Sequence, residues 1–195
     1  MENDNHLLKL CAERFSARKF TDEPVSTEDL AYVLEAVRLA PSAVNFQPWK
    51  FVIARSEEAK AKLRECYNRE WFATAPMYII GLKDTAHNWV RRYDQKPHGD
   101  VDVSIATEHL CLAATERGLG TCWVCAFDTG KFAELFPQYA TGIGYTPQTA
   151  TRQSADDPTP PAWEAVVIVP IGHIAPDCPR KEKERKTLSE ICEEI

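Results

Sequence analysis

No stretch of this 195-residue chain approaches the ~20 consecutive apolar residues that a membrane-spanning helix needs. A helical membrane protein is therefore not expected. The N-terminal MENDNHLLKL is acidic and polar and is broken at Lys9, which does not fit a signal peptide. There is no excess of positive charge. The formal net charge of −6 speaks against broad nucleic-acid binding. A cysteine framework is missing too: the seven cysteines are odd in number and irregularly spaced. They read as reduced thiols of a cytoplasmic protein. Internal repeats are absent. What remains is ordinary for one soluble domain, with 44% hydrophobic and 27% charged residues. A chain of this length buries roughly 70% of its unfolded surface without staples.

Periodicity and end signals give a helix–strand alternation. His6 to Glu13 is a helix candidate with Leu7, Leu8, Leu10 and Cys11 as its apolar positions. Ser26 and Asp29 form a capping-box-like pair ahead of Leu30, Val33, Leu34 and Val37, and Pro41 marks that helix's end. Trp49 to Ala54 reads as a strand. Ser56 caps a charged helix to about Cys66, and Pro76 to Leu82 is an apolar strand buried on both faces. A polar, aromatic-rich connection over Thr85 to Gly99 leads to the longest helix, from Asp100 to a stop at Gly118. Thr121 to Phe127 is expected to be a third strand, and Asp128 to cap a short helix ending at Phe136. Pro137 to Trp163 turns rich in Pro, Gly and Thr without periodicity, which reads as a loop or lid. Ala165 to Ile171 is the last strand, ended by Gly172. A basic run from Arg180 to Lys186 and a short helix at about Leu188 to Glu194 close the chain. Few strands among many helices suggest a three-layer α+β domain spanning 1–195.

Two segments carry chemistry. Arg14 to Arg18 spells RFSAR, two guanidinium forks around a hydroxyl, a donor set suited to phosphate oxygens. Ala40 to Val52 spells APSAVNFQPWKFV, placing Pro41, Ser42, Asn45, Gln47, Pro48 and Trp49 between a helix end and a strand. Taken alone, the first is also a solvated basic loop and the second a proline–asparagine turn.

Together with the GLG of Gly118 to Gly120, Trp123, the late strand and the basic tail, the two segments resemble the FMN-dependent nitroreductase family. The resemblance covers most of the chain. Cys66 to Ile80 (CYNREWFATAPMYII) also looks like a subgroup of that family. It implies an α/β/α domain around a mostly antiparallel sheet, with termini that wrap a partner, 173–195 among them. It also implies a homodimer with FMN at the interface, and NADH or NADPH as electron donor. By the same resemblance, Arg14 and Ser16 would hold the phosphate and ribityl end. Arg18 would approach flavin N1 and tune it, since a fixed cation stabilises the charge of reduced flavin. Pro41, Ser42, Ala43 and Asn45 belong to the binding set, with Ser42, Ala43 and Asn45 coming from the partner chain. Asn68 would meet the pyrimidine edge, the backbone of Cys125 and Ala126 would face N5, and Lys183 and Arg185 would close on the phosphate, with Arg180 a further candidate. The implied activity is hydride transfer through FMN to an acceptor such as a nitroaromatic or quinone, with ping-pong kinetics. Dehalogenation, enone reduction and passive flavin binding are the alternatives. The 137–163 segment departs from the family's short connection.

Other signals have plainer readings. Cys122 and Cys125 form a CxxC, but on a strand they would point to opposite faces, as two buried structural thiols. His98, Asp100 and Asp102 could suggest a metal, yet acids at a helix start also suit its dipole. His109 reads as a packing residue, and Arg91–Arg92 as a solvated pair. Trp71, Trp89 and Tyr93 either wall a pocket or pack a lid.

Overall fold

The structure, a computed structural model, describes residues 5–144 and 160–195. Local chemistry starts most helices. After α1 (His6–Glu13) comes α2 (Thr27–Arg38). Ser26 accepts the Asp29 N–H at 2.9 Å and donates its own hydroxyl to the Asp29 carboxylate at 2.7 Å. Ser56 likewise accepts from Ala59 ahead of α3 (Glu57–Cys66), which is followed by the single turn α4 (Glu70–Ala73). Then come α5 (Gly99–Glu116), α6 (Thr129–Leu135), capped by Asp128 at the Lys131 N–H, and α7 (Leu188–Ile191) near the C-terminus. Gly118 takes a left-handed φ of 72° after α5, a conformation that side chains with a Cβ resist.

The strands β1 (Trp49–Ala54), β2 (Met77–Asp84), β3 (Leu119–Thr121) and β4 (Trp163–His173) form one antiparallel sheet in the order β1-β2-β4-β3. Alternate residues of the central strands face opposite layers. Met77, Ile79, Val167, Val169 and Ile171 pack with α2 and α5, while Tyr78, Ile80, Leu82 and Ile168 pack with α3, α4 and α6. This is the expected α/β/α arrangement. β1 and β3 are the borders of the sheet. The β3 border is shielded by the RFSAR segment, where Ser16 bridges Thr121 and Phe20 bridges Ile174.

Several expectations need correction. The third strand was expected over Thr121 to Phe127 but covers Leu119–Thr121. The register continues far enough for Val124 and Ile168 to exchange both backbone bonds, at 3.0 and 2.9 Å. Between them the ladder breaks because Pro170 faces the same side as Ile168, opposite Cys122, and has no N–H to donate. The last strand runs through Gly172 rather than ending there. Gly172 faces Gly120, and a Cβ on it would lie 2.6 Å from Pro76. In α1 only Leu10 is buried; Leu7 and Leu8 are 63% and 67% exposed. The closing helix stops at Ile191. Residues 145–159 of the expected loop lie outside the described residues.

Candidate functional site

A cleft of about 580 Å³ is lined by Arg14, Phe15, Ser16 and Arg18 on one side and by Pro179 and residues 181–185 on the other. It exists because the RFSAR segment is clamped to the sheet edge. Ala17 N–H donates to Thr121 O at 2.9 Å, and Thr21 N–H donates to His173 O at 2.9 Å. Gly120 permits this approach. A Cβ there would lie 2.8 Å from Ala17 and 2.6 Å from Ile174, closer than side chains tolerate. With Ala17 buried below, Arg14, Ser16 and Arg18 are left facing outward.

The tail lies over α1. Arg180 donates to Glu13 O at 2.9 Å and stacks 4.6 Å above Phe15. Lys183 donates to the Ala12 carbonyl at the C-terminal end of α1, where a helix favours cations. Burial, then repulsion from Arg14, Arg185 and Arg180, pulls the Lys183 ammonium below the ordinary lysine range. Partly compensating anions stand near: Glu108 lies 3.5 Å from Arg14, and Glu182 and Glu184 belong to the cleft's tail side. Arg14, Arg18, Lys181, Lys183 and Arg185 gather on one cleft, a cation set suited to a multiply charged oxyanion.

On the same side of the molecule, Arg18 stacks 5.7 Å from the Trp71 ring, and Trp71 meets Tyr67 edge-on at 5.9 Å. Asn68 follows Tyr67 and is exposed. The Asp128 N–H donates to Cys66 O at 2.8 Å, tying the 125–128 loop to the end of α3. Cys125 and Ala126 are exposed, and their backbone N–H groups have no acceptor among the described residues. The CxxC pair is therefore not two buried thiols. Cys122 is buried beside Ser16, with its thiol pushed up by burial and pulled down by Arg18 and Ser16, whereas Cys125 faces solvent. All seven cysteines are free.

Pro41, Ser42, Ala43 and Asn45 do not line this cleft. They form a separate turn beside the start of α5, where Ala43 N–H donates to Asp102 at 2.9 Å. Val44, Asn45 and Gln47 all have positive φ, at 48°, 59° and 50°. Such conformations cost on the order of 1–3 kcal/mol each for residues with a Cβ, and they cluster at functional sites. Sequence reasoning missed this strain, which no local motif announces. It left open the role of Trp71, which now stands under Arg18. It also assigned Asp102 to the helix dipole, although that side chain is buried. His109 does pack as expected, its ring 3.3 Å from Ala36 O.

The model of the nitroreductase family matches residues 11–66 and 63–138. The FMN reductase [NAD(P)H] of Bacillus subtilis (strain 168) is 30% identical over 131 residues, 60% of this chain and 53% of that protein. The iodotyrosine deiodinase of Thermotoga neapolitana is 24% identical over 203 residues, 93% of this chain and 95% of that protein. Matches to reductase-named relatives span 25% to 66% of those proteins' lengths. Among solved structures, a nitroreductase family protein from Clostridium difficile 630 superposes with a TM-score of 0.78 at 30% identity. That match covers 95% of this chain and 96% of the other.

Proposed function

The chain belongs to the nitroreductase family, and on that premise we propose that it is an FMN-dependent oxidoreductase. It passes hydride from NADH or NADPH through the flavin to an acceptor such as a nitroaromatic or a quinone. The observation that carries this reading is the convergence of Arg14, Ser16, Arg18, Lys183 and Arg185 on one cleft. The donor set fits the cofactor. The Arg14, Lys183 and Arg185 cations match a phosphate, and the Ser16 hydroxyl adds a neutral donor. Bound FMN would supply the redox chemistry itself, accepting hydride at N5 and releasing it there. Arg18 provides a positive charge toward the pyrimidine edge, held against Trp71. Asn68 is the hydrogen-bonding group for that edge, and the free N–H groups of Cys125 and Ala126 are the donors for the N5 side. No side-chain general acid is required of this set. Donor and acceptor would use one face in turn, which gives ping-pong kinetics.

We read the chain as a homodimer. Pro41, Ser42, Ala43 and Asn45 stand off the cleft of their own chain, and the opposite chain's turn would complete it. The exposed Leu7, Leu8, Leu188 and Ile191 near the two ends offer the apolar surface such wrapping would cover, with 173–195 reaching across. No described helix is long and apolar enough to cross a membrane, and seven free thiols suit a reducing cytoplasm. A second reading, reductive dehalogenation on the same scaffold, is favoured by the near full-length match to a deiodinase.

The visible spectrum of the purified protein, before and after anaerobic NADH or NADPH, tests the proposal. A flavin spectrum that bleaches is the expected result, and anaerobic turnover of nitroaromatic, quinone and haloaromatic acceptors then separates the two readings. A flavin spectrum unchanged by both donors leaves a passive binder. A protein that stays colourless with added FMN overturns the reading altogether.

A further inference from the structure

We propose that Asp102 is a positioning residue that sets the 41–47 turn in its cofactor-binding conformation; the inference rests on the flavin reading above. The first turn of α5 carries two acids with different surroundings. Asp100 is exposed and pairs with Lys83 at 3.0 Å, as a helix-start acid commonly does. Asp102 is 2% exposed. One of its oxygens accepts the Ala43 N–H at 2.9 Å. The other is buried and has no hydrogen-bond partner among the described residues. A helix dipole alone does not account for burying a carboxylate with one oxygen unpaired, because desolvation works against it. His98 is the titratable side chain that bears on it.

The turn explains the placement. Ser42 is extended, with φ −137° and ψ 161°, and the backbone turns left-handed from Val44. Val44 is 58% exposed, so packing does not hold this β-branched residue in a conformation it disfavours. Hydrogen bonds do. Asn45 N–H donates to Ser42 O at 3.1 Å, Phe46 N–H to Ala43 O at 3.1 Å, and Gln47 N–H to Ser42 Oγ at 2.8 Å. These are internal and fix the turn's shape. Among the described residues, apart from the local bond from Trp49 N–H to Gln47 O at 2.8 Å where the chain enters β1, the bond from Ala43 to Asp102 is the one that ties 42–47 to another element, just ahead of the first left-handed residue. Asp102 therefore sets where the turn points, and with it the amide and hydroxyl groups offered to the cofactor.

Three variants test this: Asp102→Ala removes the acceptor, Asp102→Asn keeps one, and Ala43→Pro removes the donor. The last suits the local backbone, since Ser42 already has the extended conformation that precedes proline and position 43 begins a short helical turn. Its ring Cδ meets the Asp102 carboxylate, so it is read only against the double variant, where that clash is gone. FMN dissociation constants come from fluorescence titration of the flavin-free protein, and amide exchange at residue 43 gives a readout independent of flavin. Expected are a tenfold or greater weakening of FMN binding in Asp102→Ala with faster exchange at Ala43. Asp102→Asn should bind within about threefold of the unaltered chain, and the Asp102→Ala/Ala43→Pro double variant should be no weaker than Ala43→Pro alone. Equal FMN binding by Asp102→Ala and the unaltered chain overturns the inference, as do equal losses in the Ala and Asn variants or losses that multiply in the double variant. If Asp102→Ala does not fold, the near-isosteric Asp102→Leu decides: a tenfold loss supports the inference and unchanged binding overturns it. An unaltered chain that takes up no flavin overturns the proposed function and this inference together, whereas flavin binding that ignores position 102 overturns the inference alone.

Discussion

The two halves of the candidate site are built in opposite ways. The RFSAR cleft is held by sheet-like pairing and by the absence of a side chain at Gly120. Its residues adopt unstrained backbone, and its chemistry lies in long cationic side chains. The 41–47 turn has little packing and three left-handed residues, its chemistry lies in small polar groups and backbone, and one carboxylate ties it to α5. The lining of the first comes from one chain. The second has its polar groups arranged in advance but turned away from the cleft of its own chain. Strain is tolerated where position matters more than stability, and long flexible cations serve where charge matters more than position.

The contrast can be broken most forcefully at Gly120. Gly120→Val places methyl groups on Ala17 and Ile174, and is expected to cost about 2–3 kcal/mol in urea unfolding and to abolish cofactor retention. A stable variant that still binds would show that the RFSAR segment is not clamped as described. Next in size is Arg14→Ala. Loss of a sheltered charge-assisted bond of about 1.5–3 kcal/mol should weaken FMN roughly 10- to 100-fold with little change in melting temperature, measured by titration and thermal melts. In the turn the sign reverses. Val44→Gly relieves left-handed strain in an exposed residue and should stabilise the fold by about 0.5–1 kcal/mol while weakening cofactor binding. Greater stability with undiminished binding would show that the strain serves no purpose.

The smallest effect is in pH dependence, and it also has two signs. Ser26 and then Arg117 hold the Asp29 carboxyl below the usual carboxylate range. Its stabilising contribution is full above about pH 4 and is lost as pH falls through the depressed value. Burial pushes Asp102 the other way. There the unfolded chain loses its proton first, so stability falls as pH rises from about 4 toward the raised folded value. Urea unfolding from pH 3 to 7 should show a flatter acid limb in Asp29→Asn and a smaller decline with rising pH in Asp102→Asn. Parallel curves for both variants would remove the distinction.

What could be read from the chain alone follows the same division. Ser26, Ser56 and Asp128 announce α2, α3 and α6 because a cap acts over three residues, and the structure places those helices accordingly. Arg14, Ser16 and Arg18 were recognisable by side-chain type and Lys183 and Arg185 through the family resemblance, and the fold brings them together. The third strand was misread because what interrupts it, Pro170, belongs to another strand that meets Cys122 only after folding. Cys125 was taken as buried for the same reason. Nothing local in Val44 or Gln47 signals a left-handed backbone, and nothing in Asp102 distinguishes it from Asp100 until the turn at Ala43 is laid against α5.

The unequal borders of the sheet bear on how the protein behaves when crowded. On the β3 side the ladder is closed off by its own chain, through Ser16 and Phe20. On the β1 side, Trp49 to Ala54 pair, among the described residues, with β2 alone. Strand-by-strand polymerisation, the usual route from a soluble sheet to a fibril, therefore has one starting surface rather than two. Lys50 on that strand, its ammonium 4.7 Å from the Trp163 ring, puts a charge at that surface, so a growing stack would have to bury it at every step.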